Sequence, residues 1–248
     1  MSTSRPTVYL FDIDGTLIST GGAGRRAMEG AFTDLHGAPG KAAIQFSFAG
    51  MTDRAIVRGG LVALEHHLPD AAAIDHVLDR YLVRLANEVD QTTTYQVHPG
   101  VPSVLAWLQA LQRVALGLGT GNIKKGAYRK LARGALDTTF GFGGFGCDAE
   151  DRTELLRVGA GRGAEALGIP LADCRVVVIG DTPKDVAAAQ GIGADCIGVG
   201  TGGFDPRALL ELGAHTAFAN LEEDGVRDAL LHGERDHGVG KVARAKDV

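Results

Sequence analysis

The sequence predicts an α/β fold: a doubly wound, Rossmann-like parallel sheet with an all-helical cap domain inserted after the first strand. Short runs of apolar, β-branched residues alternate with helical patterns over most of the chain, as in parallel sheets that are buried on both faces. One long stretch near the amino end carries helical patterns and no convincing buried strand. The chain has 248 residues, of which 45% are apolar, and this is enough for a substantial core.

The strands and helices of the sheet domain can be assigned in order. The first predicted strand, residues 7–11, is apolar on both faces and ends at Asp12-Ile13-Asp14-Gly15. Similar runs predict strands at 114–118, 176–179 and 196–199, with a weaker one at 140–142. Amphipathic patterns predict the intervening and following helices at 102–111, 124–136, 153–167, 184–191 and 206–212. Strands that alternate with helices in this way favour a parallel sheet.

Residues 20–95 interrupt this alternation and are predicted to form the cap. They carry three amphipathic helical patterns, at 24–35, 53–64 and 70–89, and in the last of these the apolar residues form one continuous stripe. We therefore expect a core of residues 1–19 and 96–232 and a cap of residues 20–95. Residues 233–248 have mixed charge and little apolar periodicity, which predicts a flexible tail.

Composition excludes several classes of protein. The 36 glycines are about twice the share of an average domain, but they follow no Gly-X-Y period and apolar residues recur throughout, so neither collagen nor disorder fits. The three cysteines, Cys147, Cys174 and Cys196, have no CxxC spacing and predict neither a disulfide framework nor a zinc site.

Charge and hydropathy also limit where in the cell the protein is expected and which partners it is expected to bind. No apolar run approaches the ~20 residues of a membrane span, and no signal-peptide pattern follows the amino terminus. We therefore expect a cytoplasmic protein without a membrane partner, either a monomer or a homodimer. The formal net charge of -5, without a basic stripe, disfavours nucleic acid as a partner.

The first candidate site follows the first strand. Asp12 and Asp14 are two residues apart at a strand-to-loop junction, where the chain can turn both carboxylates toward one pocket. Such a pair could bind a divalent cation, or divide the roles of nucleophile and acid/base between two environments. A plain turn is the alternative, since Asp and Gly are ordinary turn residues.

Later strand ends carry possible partners for this pair. Thr120, Gly121 and Asn122 follow the second core strand and offer a hydroxyl and open backbone amides suited to phosphate oxygens. Asp181 and Asp185 follow a buried strand at i and i+4, although a helix cap with a solvated second acid would explain them too. A doubly wound sheet brings such strand ends together at one edge.

The ordered set of motifs resembles the haloacid dehalogenase-like hydrolase superfamily, in its phosphoglycolate-phosphatase-like branch with a helical cap after the first strand. The motifs are Asp12-Ile13-Asp14-Gly15-Thr16-Leu17, then Thr120, then Gly180-Asp181-Thr182-Pro183-Lys184-Asp185. The resemblance covers residues 7–221. Independent short motifs in the right order are far more specific together than any one of them alone.

The resemblance implies roles for the four acids. Asp12 would attack phosphorus and form an aspartyl-phosphate, while Asp14 would protonate the leaving alcohol and then activate water. Mg²⁺ would be held by Asp12, Asp14 through its backbone carbonyl, and Asp181, with Asp185 assisting. Four carboxylates at one point repel each other, so a divalent cation is also a physical expectation.

Phosphate binding is the second implied role. Thr120 would act with the Gly121 amide and Asn122 on the phosphoryl oxygens. The family carries a lysine before the last acidic motif, whereas the corresponding stretch here has Arg152. A guanidinium binds phosphate oxygens bidentately, so Arg152 is the predicted cation.

Lys124 and Lys125 are the rival cations, because they follow Thr120 closely. A solvated helix face is the plainer interpretation of both. In the cap, the resemblance places the loop at 50–54 over the site, so Arg54 could bind a substrate carboxylate or a second phosphate; a helix cap at Asp53 and a surface charge at Arg54 are the alternatives.

We therefore expect a magnesium-dependent phosphatase that acts on a small phosphorylated metabolite. A phosphomutase on the same scaffold is the nearest alternative, since it would use Asp12 and Asp14 in the same way. A dehalogenase is disfavoured, because a departing halide needs no proton from Asp14. Outside enzymes, a phospho-receiver module or a binding protein is conceivable, but a receiver lacks a cap and carries its acceptor after a middle strand.

Overall fold

The computed structural model describes residues 2–232, and its centre is a six-stranded parallel sheet. The predicted parallel α/β fold is confirmed. The strands of this sheet are β1 (Ser2–Phe11), β4 (Gln112–Thr120), β5 (Phe142–Phe145), β6 (Arg175–Gly180), β7 (Asp195–Val199) and β8 (Thr216–Phe218). Their order across the sheet is β5-β4-β1-β6-β7-β8.

Helices flank the sheet or lie between its first two strands in the sequence. Their bounds are α1 (Ala23–Ala43), α2 (Asp53–Glu65), α3 (Ala71–Gln91), α4 (Val101–Gln109), α5 (Lys124–Ala132), α6 (Arg152–Leu167), α7 (Pro183–Gly191), α8 (Pro206–Glu211) and α9 (Val226–His232). None of these helices combines the length and the apolar composition of a membrane-spanning segment.

Two apolar clusters cover the two faces of the sheet. Along β1, Val8 and Leu10 pack on one face, while Tyr9 and Phe11 pack on the other. All four side chains have no exposed surface. Successive strand side chains point to opposite faces, so an uninterrupted apolar run is what a sheet covered on both sides requires.

The strand at 140–142 is displaced in the structure to Phe142–Phe145, because glycines obscure its pattern. A Cβ atom on Gly144 would lie 1.7 Å from the carbonyl oxygen of Leu155 on α6. The helix therefore packs directly on the strand backbone, and an apolar side chain at this position has no room. The edge strand β8 and helix α9 have no counterpart among the predicted elements, since both are short.

Helices α1, α2 and α3 form an apolar cluster of their own. The predicted stripe on α3 is confirmed, since its core is Ile74, Val77, Leu78, Tyr81, Leu85 and Val89. Helix α1 extends well past the predicted end at residue 35 and is broken at Gly37, whose φ of 63° is outside the helical range. These three helices thus bury their own apolar faces against one another.

A two-stranded antiparallel ladder lies where the chain enters and leaves this helical region. It joins β2 (Ile18–Ser19) to β3 (Gln96–Val97). The expected boundaries at 19/20 and 95/96 fall at the ends of this ladder, and the division into core and cap remains a prediction. The tail expected at 233–248 lies outside the described residues.

Candidate active site

The carboxyl ends of β1 and β6 bring three acids together. Asp12 follows β1, Asp181 follows β6, and Asp185 lies in the first turn of α7. Carboxylate oxygens of the three lie within 4.8 Å of one another, and all three side chains are buried. Parallel strands end at one edge of the sheet, so residues far apart in sequence meet there.

Asp185 is held by the start of α7. Thr182 is the N-cap of this helix, and its amide and hydroxyl both donate to Asp185 Oδ2, at 3.0 and 2.7 Å. This capping box fixes the carboxylate and leaves Oδ1 for other contacts. The alternative interpretation, a helix cap at Asp181 with a solvated Asp185, does not describe the structure.

Arg152, the first residue of α6, connects the acids. Its Nη2 lies 3.0 Å from Asp12 Oδ1 and its Nε lies 3.0 Å from Asp185 Oδ1. Burial lowers the pKa of Arg152, but the carboxylates of Asp185 and Asp12 outweigh it and raise the pKa above its usual value. Its Nη1 is buried and has no hydrogen-bond partner within residues 2–232. A ligand oxygen would satisfy that donor.

Lys124 and Lys125 are exposed on α5. The Lys124 ammonium lies 5.9 Å from the centre of the Phe145 ring. The structure thus places Arg152 with the acids and the two rival lysines on the surface.

The three carboxylates repel one another. Burial raises the pKa of Asp12 to about 6 against the opposing effect of Arg152. Burial, together with the charges of Asp12 and Asp185, raises the pKa of Asp181 to about 8. Asp181 receives a hydrogen bond of 2.9 Å from the Thr16 hydroxyl. Clustered carboxylate oxygens of this kind are the ligands that hard divalent cations prefer, so the donor set fits such an ion.

Gly15 is required by the packing around Asp181. Its φ is +87°, and a Cβ at this position would lie 2.4 Å from Asp181 Oδ2. A larger residue would therefore be strained and would displace the carboxylate.

Asp14 lies apart from the three-acid cluster and belongs to a second network. Its Oδ2 accepts hydrogen bonds from Lys130 Nζ at 2.6 Å and from Asn122 Nδ2 at 2.9 Å. Asn122 Nδ2 also donates to Thr120 Oγ1 at 2.8 Å. The Asp14 side chain is 41% exposed, whereas that of Lys130 is 5% exposed.

Lys130 is a member of this network that the sequence motifs do not single out. A signal for it exists, because Ile123, Ala127, Lys130 and Leu131 are spaced as one face of a helix and all four are buried. A buried lysine at an apolar position of an amphipathic pattern needs a partner that compensates its charge. Asp14 is that partner.

Helix α2 begins directly above the loop that follows β4. Thr52 is its N-cap, so Asp53 is its first residue and not the cap. The Asp53 amide donates to the Gly121 carbonyl, and the Ile123 amide donates to Asp53 Oδ2, both at 2.8 Å. A Cβ on Gly121 would lie 2.5 Å from the Met51 carbonyl oxygen. The glycine thus permits close approach of the helical region to the sheet domain.

A cavity of about 400 Å³ lies between the acids and the helical region. Both networks reach it, since its wall includes Asp12, Asp14, Gly121, Asn122, Lys130, Arg152 and Asp181. Its volume is that of a small-molecule site. Thr120 is fully buried beneath the network and is not part of the wall.

The structure places Arg54 elsewhere than expected. Its Nη1 lies 2.5 Å from Asp75 and its Nε lies 3.8 Å from Glu150, and it does not line the cavity. Arg25 lines the cavity from α1, with its guanidinium 4.4 Å from the centre of the Phe48 ring. Which arginine of the helical region faces the cavity depends on how α1 and α2 pack over the sheet, and no local sequence pattern indicates this.

A larger cavity, of about 1340 Å³, lies at the opposite end of the strands. Among residues 2–232, three arginines line it, and each already has a partner. Arg175 binds Asp195, and Arg157 binds Glu154. Arg5 donates to the Ala172 carbonyl. The three-acid cluster and Arg152 are not in its wall. The smaller cavity is therefore the candidate active site.

Solved structures with the same fold include a hydrolase from Pseudomonas syringae, with 20% identity, a TM-score of 0.63, and coverage of 87% of this chain and 94% of that one. CbbY from Rhodobacter sphaeroides, in a mutant complex with xylulose-1,5-bisphosphate, has 17% identity, a TM-score of 0.64, and coverage of 88% and 96%. A predicted phosphoglycolate phosphatase from Haemophilus somnus 129pt has 13% identity, a TM-score of 0.63, and coverage of 91% and 98%. At these identities the likeness concerns the fold.

Sequence comparison gives more specific information than these structural similarities. The chain matches no curated protein. A family model for haloacid dehalogenase-like hydrolases matches residues 6–193, a range that contains the three-acid cluster, Arg152 and the network around Asp14. The chain therefore belongs to the haloacid dehalogenase-like hydrolase family.

Proposed function

We propose that the chain is a magnesium-dependent phosphoric monoester hydrolase that acts on a small phosphorylated metabolite through an aspartyl-phosphate. One observation carries this proposal: buried Asp12 lies beside a buried guanidinium and two further acids, at the wall of a cavity that Asp14 also lines. This arrangement supplies a nucleophile, a phosphate-binding cation and a separate acid/base.

In the first step, an Asp12 carboxylate oxygen attacks phosphorus, and the bond between phosphorus and the ester oxygen breaks. Asp14 gives its proton to the departing oxygen, which leaves as an alcohol. The Arg152 Nη1, which has no protein partner among the described residues, donates to a phosphoryl oxygen. Gly121 and Asn122 line the same cavity, where they would lie beside the phosphoryl oxygens.

In the second step, water attacks the phosphorus of the aspartyl-phosphate. Asp14 takes a proton from this water, the bond between Asp12 and phosphorus breaks, and inorganic phosphate leaves. The Asp12 carboxylate is thereby restored for another cycle.

Mg²⁺ would be held by Asp12, the Asp14 backbone carbonyl and Asp181, with Asp185 assisting. When bound, it would neutralise carboxylate repulsion and draw negative charge from the phosphoryl oxygens. Asp185 also orients Arg152, because its two oxygens are divided between the capping box and the guanidinium.

The part of the substrate beyond the phosphate faces the helical region. The cavity wall there is formed by Arg25, Met28, Phe48, Met51, Ile56 and Tyr81. Residues 20–95 would form the cap that encloses this part, and residues 1–19 and 96–232 the catalytic core. Closure of the cap over the cavity would exclude water from the first step.

Magnesium is expected to stabilise the protein, because it binds the folded acid cluster and not the unfolded chain. At a free concentration 100 times its dissociation constant, the gain is about 2.7 kcal/mol, or a rise of about 5–10 °C in Tm. Asp181→Asn is expected to lose most of this rise in a calorimetric scan, while Asp79→Asn, an exposed residue of α3, keeps it. An equal rise in Asp181→Asn would place the ion elsewhere.

The substrate is best identified by release of phosphate from a panel of phosphorylated metabolites, with and without Mg²⁺. We expect repeated, magnesium-dependent turnover of an aryl phosphate and faster turnover of at least one small metabolite that fits about 400 Å³. A phosphomutase would instead need a sugar bisphosphate and would return the phosphoryl group, with little net release. Absence of phosphate release from every compound, together with such a requirement, would replace the phosphatase by the mutase.

A further inference from the structure

Lys130 is a buried cation with no role in the mechanism described above. Its side chain is 5% exposed, and α5 carries it on the apolar face that packs beneath the helical region. A lysine in such a place loses the hydration of its ammonium group, so its surroundings must compensate it. The compensating groups are Asp14, Asn122 and, nearby, Asp53.

The hydrogen bonds to Asp14 are unevenly divided between its two oxygens. Oδ2 accepts from both Lys130 Nζ, at 2.6 Å, and Asn122 Nδ2, at 2.9 Å. Oδ1 accepts no hydrogen bond from residues 2–232. One oxygen is thus anchored by two donors, while the side chain remains 41% exposed at the cavity wall.

Lys130 also sets the orientation of Asn122. Its ammonium donates to Asn122 Oδ1 at 2.6 Å, and an ammonium has donors only. The amide oxygen must therefore face Lys130, which directs the amide nitrogen toward Asp14 and Thr120. The Thr120 oxygen accepts from that nitrogen, so its own hydroxyl proton is left for another acceptor.

Several groups surround the ammonium from the other elements. Asp53 of α2 and Tyr81 of α3 lie on the side of the helical region, and a Cβ on Gly24 of α1 would lie 3.1 Å from Nζ. The Lys130 side chain is 5% exposed, so the ammonium group is enclosed on the side of the helical region. Groups of three helices surround it together with Asp14.

We propose that Lys130 is a positioning residue that anchors Oδ2 of Asp14 and so presents Oδ1 to the oxygen of the leaving group. This inference rests on the proposed function, because it assigns Lys130 to the proton-transfer half of that reaction. Lys130 serves the leaving group, whereas Arg152 serves the phosphoryl group. The division follows from their partners, since Arg152 contacts Asp12 and Asp185 and Lys130 contacts Asp14.

The test compares leaving groups that need a proton with those that do not. The leaving group of phenyl phosphate is a basic phenolate, which needs a proton. The leaving group of 2,4-dinitrophenyl phosphate is a weakly basic phenolate, which does not. For Lys130→Met we expect kcat/KM to fall about 100-fold with phenyl phosphate, the scale of one positioned acid, and less than about 3-fold with the dinitrophenyl ester. Lys130→Arg is expected to restore part of the loss, and exposed Lys125→Met is the matched control on the same helix.

Two outcomes of the comparison between the esters would overturn the proposal. An equal fall with both esters would mean that Lys130 serves the phosphoryl group or the fold, and no fall would mean that it is a passive core residue. A double-mutant cycle adds an independent check: in an Asp14→Asn background, Lys130→Met should change kcat/KM for phenyl phosphate by less than about 3-fold. A full additional loss there would also overturn it.

The design remains decisive if Lys130→Met does not fold. The pair Lys130→Met with Asp53→Asn removes a positive and a negative charge together, and the amide oxygen that replaces the Asp53 carboxylate can still accept from the Ile123 amide. The kcat/KM of this double variant with each ester is compared with that of Asp53→Asn alone. Failure of the proposed function is distinguishable, because it would show as absent phosphate release in the wild-type protein. Uniform loss in an active enzyme would reject only the role of Lys130.

Discussion

Asp12→Asn is expected to abolish magnesium-dependent phosphate release, with a loss of at least about 10⁴-fold in kcat, as for other removed nucleophiles. The amide has the shape of the carboxylate but cannot form the acyl-phosphate bond. Its oxygen can still accept from Arg152, whose Nη2 lies 3.0 Å from Asp12. The measurement is steady-state phosphate release together with a trapped-intermediate assay for label bound to protein.

The Tm of Asp12→Asn shows whether a loss of activity comes from the missing nucleophile or from unfolding. Burial raises the pKa of Asp12 to about 6, so the ionised carboxylate destabilises the folded protein at neutral pH and its amide should not lower the Tm of the metal-free protein. Asp79→Asn, in the exposed part of α3, is the control and should retain full activity. Unchanged turnover in Asp12→Asn would rule out Asp12 as the nucleophile.

Arg152→Ala is expected to have the next largest effect, a fall of about 10³-fold in kcat/KM, comparable to the loss of a preorganised donor in other enzymes. It removes the guanidinium that contacts Asp12 and Asp185 and whose Nη1 has no protein partner within residues 2–232. It also leaves two buried acids without a cation, at a cost of about 3–5 kcal/mol in stability.

Arg152→Lys addresses that loss of stability. It keeps the charge but not the bidentate geometry, so we expect a folded protein with activity between that of the wild type and Arg152→Ala. Lys124→Ala and Lys125→Ala should stay within about 2-fold of the wild type, because exposed charges contribute little. The reverse pattern, with an active Arg152→Ala and an impaired lysine variant, would assign phosphate binding to the lysine.

Much of the fold could be predicted because each parallel strand carries its own signal. Strand β1 is apolar on both faces, and strand ends in a parallel sheet meet at one edge whatever the lengths between them. Two motifs at opposite ends of the family match could therefore be assigned to one site. Strand β5 carries a weaker signal, because α6 approaches its backbone at Gly144 and leaves no room for an apolar side chain at that position.

In the candidate site, too, some residues could be predicted from local sequence and others could not. The acids and Arg152 lie at strand ends or in the first turns of helices, where local sequence determines position. Asp185 is held by its own capping box, three residues from Thr182. The partners in the helical region could not be predicted, since Arg54 binds Asp75 while Arg25 lines the cavity.

By itself, the sequence determined the parallel sheet, the helical insertion, the family and the acids at the strand ends, because each depends on a local pattern or on a topology that joins strand ends. Only the tertiary structure decided the partner of Lys130, the arginine that faces the cavity and the contact between Asp53 and the loop at Gly121. These depend on the angle at which three helices pack over the sheet. Many side-chain contacts together set that angle, so no short stretch of sequence predicts it.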